Sequence, residues 1–213
     1  MKHITFYLDF LSPYSYLAFE KLPEALQGLS YSVDYKPMLF AALLKHHGQL
    51  GPAEIPPKRH WTYREVLWLA HTHRVPMQMP AAHPFNPLPL LRLALACGAN
   101  GLANRYVCET LFRHVWRAGA DAADPQRIEA LKAALAPARD GASDAIKAEL
   151  KANADEAIAR GLFGVPSYAV DDKLFWGFEG VPMLRAYLEG DAWFSQGDWE
   201  AVIRLPGVQR ARA

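Results

Sequence analysis

The sequence predicts an α/β protein in which a large block of helices interrupts a small sheet. Segments rich in β-branched and aromatic residues lie near both ends of the chain, whereas helical spacing of apolar residues dominates the middle. Of the 213 residues, 51% are hydrophobic and 21% are charged. That composition supplies a buried core and excludes a disordered or fibrous chain.

The first elements are predicted to be a strand, a helix and a second strand. Residues 4–10 are β-branched and aromatic, which indicates a buried strand. Ser12 and Pro13 then form a helix start, with a hydroxyl at the N-cap and proline at the first helical position. The helix has apolar residues at helical spacing and ends at Gly28, and residues 31–35 alternate as a strand does.

The middle of the chain is predicted to be helical, with two irregular connections. Residues 48–58 contain three prolines and are expected to form a loop, and five prolines crowd residues 76–89. Between and after them, apolar spacing predicts helices over residues 61–74, 90–97, 102–116, 125–136 and 144–160. Trp61, Trp68 and Trp116 are expected in the core of this block, although a cleft for an aromatic substrate would also use such residues.

The strand pattern returns after Gly161. Residues 167–170 and 173–176 are predicted strands joined by an Asp-Asp turn, and residues 183–188 a closing helix. Strand-helix-strand, a helical block, then strand-strand-helix is the order of a thioredoxin-like fold with a large all-helical insertion. We therefore expect a discontinuous thioredoxin-like domain, residues 1–36 plus 155–213, and an insertion domain, residues 37–154.

Charge and cysteine content restrict the possible partners. The formal net charge of +1 supplies no strong field for nucleic acid or an anionic membrane, so we expect neither as a partner. Cys97 and Cys108 make neither a disulfide framework nor a metal site, and no metal is expected. The N-terminus does not resemble a signal peptide, and no apolar stretch is long enough to cross a bilayer. These features predict a soluble cytoplasmic protein.

The start of the first helix is the best candidate site. Unpaired backbone N–H groups and the positive end of the helix dipole meet there, which stabilises an anion such as a thiolate. The sequence at this place is Ser12-Pro13-Tyr14-Ser15, without cysteine, so dithiol–disulfide exchange is excluded. Ser12 either donates a hydrogen bond to the thiolate of a ligand or only caps the helix.

A second candidate is Gly164-Val165-Pro166-Ser167, which enters the third strand. If the bond before Pro166 is cis, as before this strand in thioredoxin-like proteins, the Val165 backbone is free to pair with an extended peptide ligand. Otherwise Pro166 is an ordinary proline at the start of a strand.

Taken together, the motifs FYLDFLSPYSYLAFEKL, GQLGP and FGVPSYAV…KLFWGFEG resemble kappa-class glutathione transferases and, more strongly, 2-hydroxychromene-2-carboxylate isomerases. The resemblance covers residues 4–189. It implies glutathione as cofactor, an aromatic carboxylate as substrate and a homodimer.

The resemblance also assigns roles. It implies that Ser12 is catalytic and hydrogen-bonds the glutathione sulfur, with Pro13 and Tyr14 along the same ligand. It implies that the Val165 backbone holds the cysteinyl part. Gln49 stands where the family commonly has asparagine. Phe178 and Glu179 stand where a polar residue and aspartate bind the γ-glutamyl end.

One position departs from the family pattern, since Gly180 replaces the usual arginine of Gly-polar-Asp-Arg. Losing such a charged contact costs about 1–3 kcal/mol, or roughly tenfold to a hundredfold in affinity. Glutathione therefore binds weakly, or the ligand is another thiol.

The resulting hypothesis is a glutathione-dependent isomerase that works by reversible thiol addition, bond rotation and elimination. A kappa-like glutathione transferase and a non-catalytic thioredoxin-like binding module are the alternatives.

Overall fold

The computed structural model describes residues 1–207; residues 208–213, the end of the predicted thioredoxin-like domain, lie outside the described residues. Its centre is a mixed four-stranded sheet of order β2-β1-β3-β4. The strands are β1 Lys2–Leu8, β2 Tyr31–Pro37, β3 Ser167–Val170 and β4 Lys173–Trp176. β1 runs parallel to β2 and antiparallel to β3, which pairs antiparallel with β4. The four predicted strands and their order along the chain are confirmed.

All the helices predicted from the sequence are present, together with two short ones that were not predicted, the second and the ninth of the series. They are α1 Pro13–Ala25, α2 Phe40–His47, α3 Pro56–Thr72, α4 Leu88–Ala96, α5 Arg105–Trp116, α6 Pro125–Leu135, α7 Asp144–Ala159, α8 Val181–Glu189 and α9 Asp198–Ala201. No helix within residues 1–207 is both long and apolar enough to span a bilayer.

The sheet separates two apolar clusters because successive side chains of a strand point to opposite faces. Phe6 and Leu8 of β1 belong to the larger cluster, which includes α1, α4 and α5. Tyr7, between them, belongs to the smaller cluster with Leu43 of α2 and Ala157 of α7. β1 is therefore buried on both faces, which explains its near-continuous apolar sequence.

Helix α7 is fastened to the sheet by polar contacts as well. The Tyr7 hydroxyl donates to Glu156 over 2.6 Å. The side-chain amide of Asn153, only 4% exposed, donates to the backbone carbonyls of Pro37 and Gly101, each over 2.7 Å. These bonds pair carbonyls that would otherwise be buried without a partner.

Two expectations for α3 are wrong. The helix begins at Pro56, inside the segment 48–58 that was expected to be a loop, because a proline at the first helical position sacrifices no intrahelical hydrogen bond. Trp116 is buried as expected, but Trp61 and Trp68 are 64% and 61% exposed. Only the face of α3 that carries Thr62, Val66 and Ala70 is buried, and both tryptophans lie outside it.

Candidate active site

The first turn of α1 has the capped geometry that the sequence predicts. Ser12 adopts an extended conformation, and its Oγ accepts a hydrogen bond from the Ser15 backbone N–H over 3.1 Å. Pro13 follows at the first helical position. Ser12 is 8% exposed, so its hydroxyl is largely shielded from water. Ser12 therefore caps the helix. This bond uses only a lone pair of the hydroxyl oxygen, so the hydroxyl proton can be donated to another partner.

The loop before β3 lies directly opposite this helix end. The peptide bond between Val165 and Pro166 is cis, as expected. The Ser12 hydroxyl donates to the Val165 carbonyl oxygen over 3.4 Å, a long bond that a better acceptor would replace. Within residues 1–207 the Val165 backbone N–H has no protein partner. Val165 thus offers both a donor and an acceptor beside Ser12.

These residues line a cavity of about 600 Å³, large enough for a small organic ligand. The cavity brings together five of the predicted site residues: Ser12, Pro13, Tyr14, Gln49 and Val165. Its walls are mainly apolar, and Phe163 and Trp176 form a tilted aromatic pair in them with ring centroids 4.8 Å apart. Lys58 adds a cation to the lining.

The remaining predicted residues lie outside the lining. Phe178 packs edge-on against His73, with ring centroids 4.9 Å apart, and is directed into the protein rather than into the cavity. Glu179 is exposed and raises the pKa of Tyr14 electrostatically, which places its charge near that phenol.

Tyr14 connects the start of α1 to α3. Its hydroxyl donates to the Glu65 carboxylate of α3. Burial, and then the Glu65 carboxylate, raise the pKa of Tyr14 well above its usual value. The phenol is therefore neutral and held in one orientation, which fixes the wall of the cavity beside Ser12.

The glycine at the departure from the family pattern is required by the backbone. A Cβ on Gly180 would lie 2.4 Å from the backbone carbonyl oxygen of Trp176. No side chain fits there without movement of the turn between β4 and α8. The missing arginine is thus a consequence of how this turn is built.

A buried carboxylate that was not among the predicted site residues, Asp9, lies beneath the site. Asp9 is completely buried and accepts hydrogen bonds from the backbone N–H groups of Leu11, over 3.0 Å, and Phe40, over 2.9 Å. Burial raises the pKa of Asp9 to about 6, although both hydrogen bonds lower it. The carboxyl group joins the strand before Ser12 to the start of α2.

His83 and Tyr63 are also part of the cavity wall, and the sequence carried no signal for either. The Tyr63 hydroxyl lies 2.8 Å from His83 Nδ1 and 2.8 Å from the His83 carbonyl oxygen. His83 Nε2 lies 2.9 Å from the carbonyl oxygen of Leu11, the residue before Ser12. The proline-rich connector therefore supplies a polar group to the site.

Neither cysteine contributes. Cys108 is completely buried, Cys97 is partly buried, and burial raises the pKa of both thiols. Over the described part of the chain, no cluster of three or more His, Cys, Asp or Glu side chains has the arrangement of a metal site. Any thiolate at Ser12 has to come from a ligand.

Comparison with known proteins agrees with this geometry. The chain is 28% identical over 194 residues to a 2-hydroxychromene-2-carboxylate isomerase of Sphingobium xenophagum, covering 88% of this chain and 98% of the relative. It is 28% identical over 206 residues to glutathione S-transferase kappa 1 of Rattus norvegicus, covering 88% and 90%. A solved structure of 2-hydroxychromene-2-carboxylate isomerase superposes with a TM-score of 0.75 at 23% identity, over 95% of this chain and all of that one.

The family model for the DSBA-like thioredoxin domain matches residues 3–189, which include all four strands except Lys2, the first residue of β1, and all the residues that line the cavity. The predicted thioredoxin-like fold is thereby confirmed. On sequence and fold together, the chain belongs to the DSBA-like thioredoxin domain family.

Proposed function

We propose that this protein is a glutathione-dependent isomerase of a 2-hydroxychromene-2-carboxylate-type aromatic carboxylate. The observation that carries the proposal is the Ser12 hydroxyl at the start of α1, facing the Val165 carbonyl in a largely apolar cavity. The relatives described above, named as isomerases and kappa transferases, support the same reading.

The residues at this place fit a cysteinyl thiolate. To donate to a sulfur anion, the Ser12 hydroxyl has to break only its long hydrogen bond to the Val165 carbonyl oxygen. The backbone N–H groups at the start of α1 and the helix dipole add positive potential. The Val165 N–H and C=O, one unpaired and one weakly bonded, suit the backbone of an extended peptide.

Bound glutathione would supply the nucleophile that adds to a conjugated double bond and leaves after rotation. Ser12 stabilises the sulfur anion before addition and after elimination, and so keeps the thiol ionised near neutral pH. Phe163 and Trp176 offer aromatic faces to a planar substrate, and Lys58 offers a cation to its carboxylate. Gln49 offers an amide at the mouth of the same cavity.

For the γ-glutamyl end, we propose Glu179 as the partner of the α-ammonium group. Its charge lies near Tyr14, one of the cavity residues. Phe178 and Gly180 supply no polar side chain, so Glu179 acts without the family's arginine. Glutathione is therefore held mainly at its cysteinyl part.

A kappa-like glutathione transferase is the second candidate, because it needs the same thiolate at Ser12 and a relative carries that name. Gly180 is the observation that favours a non-catalytic thioredoxin-like binding module instead. Along with the activity we propose a homodimer, a cytoplasmic location, and a division into residues 1–36 plus 155–213 and residues 37–154.

Thermal unfolding with and without millimolar glutathione tests the site. A ligand at 100 times its dissociation constant stabilises a fold by about 2.7 kcal/mol, so a clear upward shift is expected. The same shift should be reduced in Ser12→Ala. Isomerisation of 2-hydroxychromene-2-carboxylate, followed by absorbance, then separates the isomerase from the transferase and from the binding module, which turn over no such substrate.

A further inference from the structure

Tyr63 and His83 form a hydrogen-bonded pair in the cavity wall, next to the residue that precedes Ser12. The His83 ring is held in place by packing as well, with its centroid 5.6 Å from that of Trp116 and 5.4 Å from that of Tyr63. A ring clamped in this way keeps its two nitrogens directed at fixed partners.

The partners decide which nitrogen carries a proton. The carbonyl oxygen of Leu11 can only accept, so His83 Nε2 carries a hydrogen and donates it over 2.9 Å. In neutral His83, Nδ1 is then an acceptor, and the Tyr63 hydroxyl donates to it over 2.8 Å. This leaves the lone pairs of Tyr63 Oη for a donor on a ligand in the cavity.

The same atoms also fit the protonated ring. When Nδ1 carries a hydrogen it donates to Tyr63 Oη, and the Tyr63 proton turns to the His83 carbonyl oxygen, also 2.8 Å away. Every donor and acceptor of the pair is then satisfied without movement of a heavy atom. The pair therefore accepts and returns one proton through the Tyr63 hydroxyl.

We propose that Tyr63 and His83 are a proton relay that opens the ring of the substrate, an inference that rests on the proposed function. A 2-hydroxychromene-2-carboxylate carries its hydroxyl and its ring oxygen on one carbon. Its neighbouring double bond lies in a six-membered ring, so it cannot rotate until the bond from that carbon to the ring oxygen has broken. Ring opening therefore precedes the rotation that isomerisation requires.

The relay balances this step. The 2-hydroxyl proton passes to Tyr63 Oη while the Tyr63 proton passes to His83 Nδ1, and the O–H electron pair forms the new C=O bond. The bond to the ring oxygen breaks with its electron pair on that oxygen. Tyr63 then protonates the ring oxygen and recovers its own proton from Nδ1. No oxidant, reductant or net proton is consumed.

The surroundings keep the relay ready to accept a proton. Burial lowers the pKa of His83 below its usual 6.5, although the bond to Leu11 raises it, so the ring is neutral at pH 7. Burial raises the pKa of Tyr63 above its usual value, although Arg59 lowers it, so the phenol keeps its proton at pH 7.

Two variants separate the relay from a structural role. Tyr63→Phe removes the hydroxyl, and His83→Gln keeps an amide donor for the Leu11 carbonyl but removes the base. Tyr106→Phe, at an exposed side chain on α5, is the matched control. Each is assayed on the cyclic substrate and on an open-chain analogue whose phenol is methylated, so that it cannot close.

On the cyclic substrate, both relay variants should lose about 10²–10⁴ in kcat, the usual contribution of general acid–base catalysis. On the open-chain analogue they should turn over as the wild type does. The acidic limb that His83 imposes on the pH profile of kcat should disappear in His83→Gln. Equal losses on both substrates, or no loss on either, would overturn the relay, whereas a wild type inactive on both would refute the proposed function instead.

A readout without substrate or glutathione completes the test. In an NMR titration, the pKa of His83 should fall in Tyr63→Phe, because the imidazolium form loses its acceptor at Nδ1. It should stay unchanged in Tyr106→Phe. An unchanged His83 pKa in Tyr63→Phe would show that no proton is shared between the two groups.

Discussion

Replacing Ser12 tests the core of the proposed mechanism, because its hydroxyl makes two different contributions. As an acceptor it caps α1 through Ser15, and losing such a cap to alanine costs about 1 kcal/mol. As a donor it would stabilise a thiolate, and a hydrogen bond to a charged group contributes about 1.5–3 kcal/mol. Ser12→Ala should therefore lose roughly tenfold to a hundredfold in turnover in addition to a small loss of stability.

Matched variants keep the two effects apart. Glycine at an N-cap costs only a few tenths of a kcal/mol, so Ser12→Gly should fold as stably as the wild type and still lose turnover. Ser12→Thr keeps a hydroxyl and should retain most activity. Urea unfolding measures stability, and the thiolate absorbance of bound glutathione against pH measures the pKa of its sulfur, which should rise in both Ser12→Ala and Ser12→Gly.

The reasoning would be refuted by full turnover in Ser12→Gly, or by an unchanged thiol pKa in that variant. A turnover loss that followed only the unfolding free energy, large in Ser12→Ala and absent in Ser12→Gly, would assign Ser12 to capping alone.

Three further predictions concern the frame of the site. Gly180→Ala should lower the unfolding free energy by about 1–3 kcal/mol, because its Cβ would lie 2.4 Å from the Trp176 carbonyl oxygen. Gly141→Ala is the control, since the atom nearest to its Cβ is 3.5 Å away, and equal melting temperatures of the two variants would contradict the prediction. Asp9 has a folded pKa of about 6 against 3.8 for the free side chain, so it contributes stability that is complete below pH 4 and disappears as the pH rises through 6. Relative to Asp9→Asn, which does not titrate, the wild type should lose about 2–3 kcal/mol between pH 4 and pH 7.5 in urea unfolding, and parallel pH curves would exclude the shift. Asn153→Ala should lower stability by about 1–3 kcal/mol for each of the two carbonyls it leaves unpaired, and a calorimetric change below 1 kcal/mol would argue that water replaces the amide.

The sequence by itself determined the strands, turns and helix starts whose causes lie within a few neighbouring residues. The Ser12 cap followed by Pro13, the Asp-Asp turn and the alternation of β-branched residues act over a few positions, so strands β3 and β4 were predicted with their observed bounds. The element order then implied the fold, because few arrangements bury a strand-helix-strand and a hairpin together.

The sequence patterns gave wrong predictions for those properties of α3 that depend on the elements packed against it. A run with three prolines favours a loop, yet two of them begin this helix. Periodicity identifies a helix without showing how much of its surface has a partner, which is why Trp61 and Trp68 were wrongly placed in the core.

Only the tertiary structure decided which distant groups meet at Ser12. Tyr63 and His83 are separated by a proline-rich connector with no periodic signal, and the packing of α3 against α1 and of Trp116 against the His83 ring brings them together. The backbone of Trp176 likewise dictates glycine at Gly180, a constraint that no neighbouring residue type reveals. The physical reason is the separation along the chain over which each interaction acts. Caps and turns depend on residues within one turn of the chain, whereas the site forms where the core holds distant segments in contact.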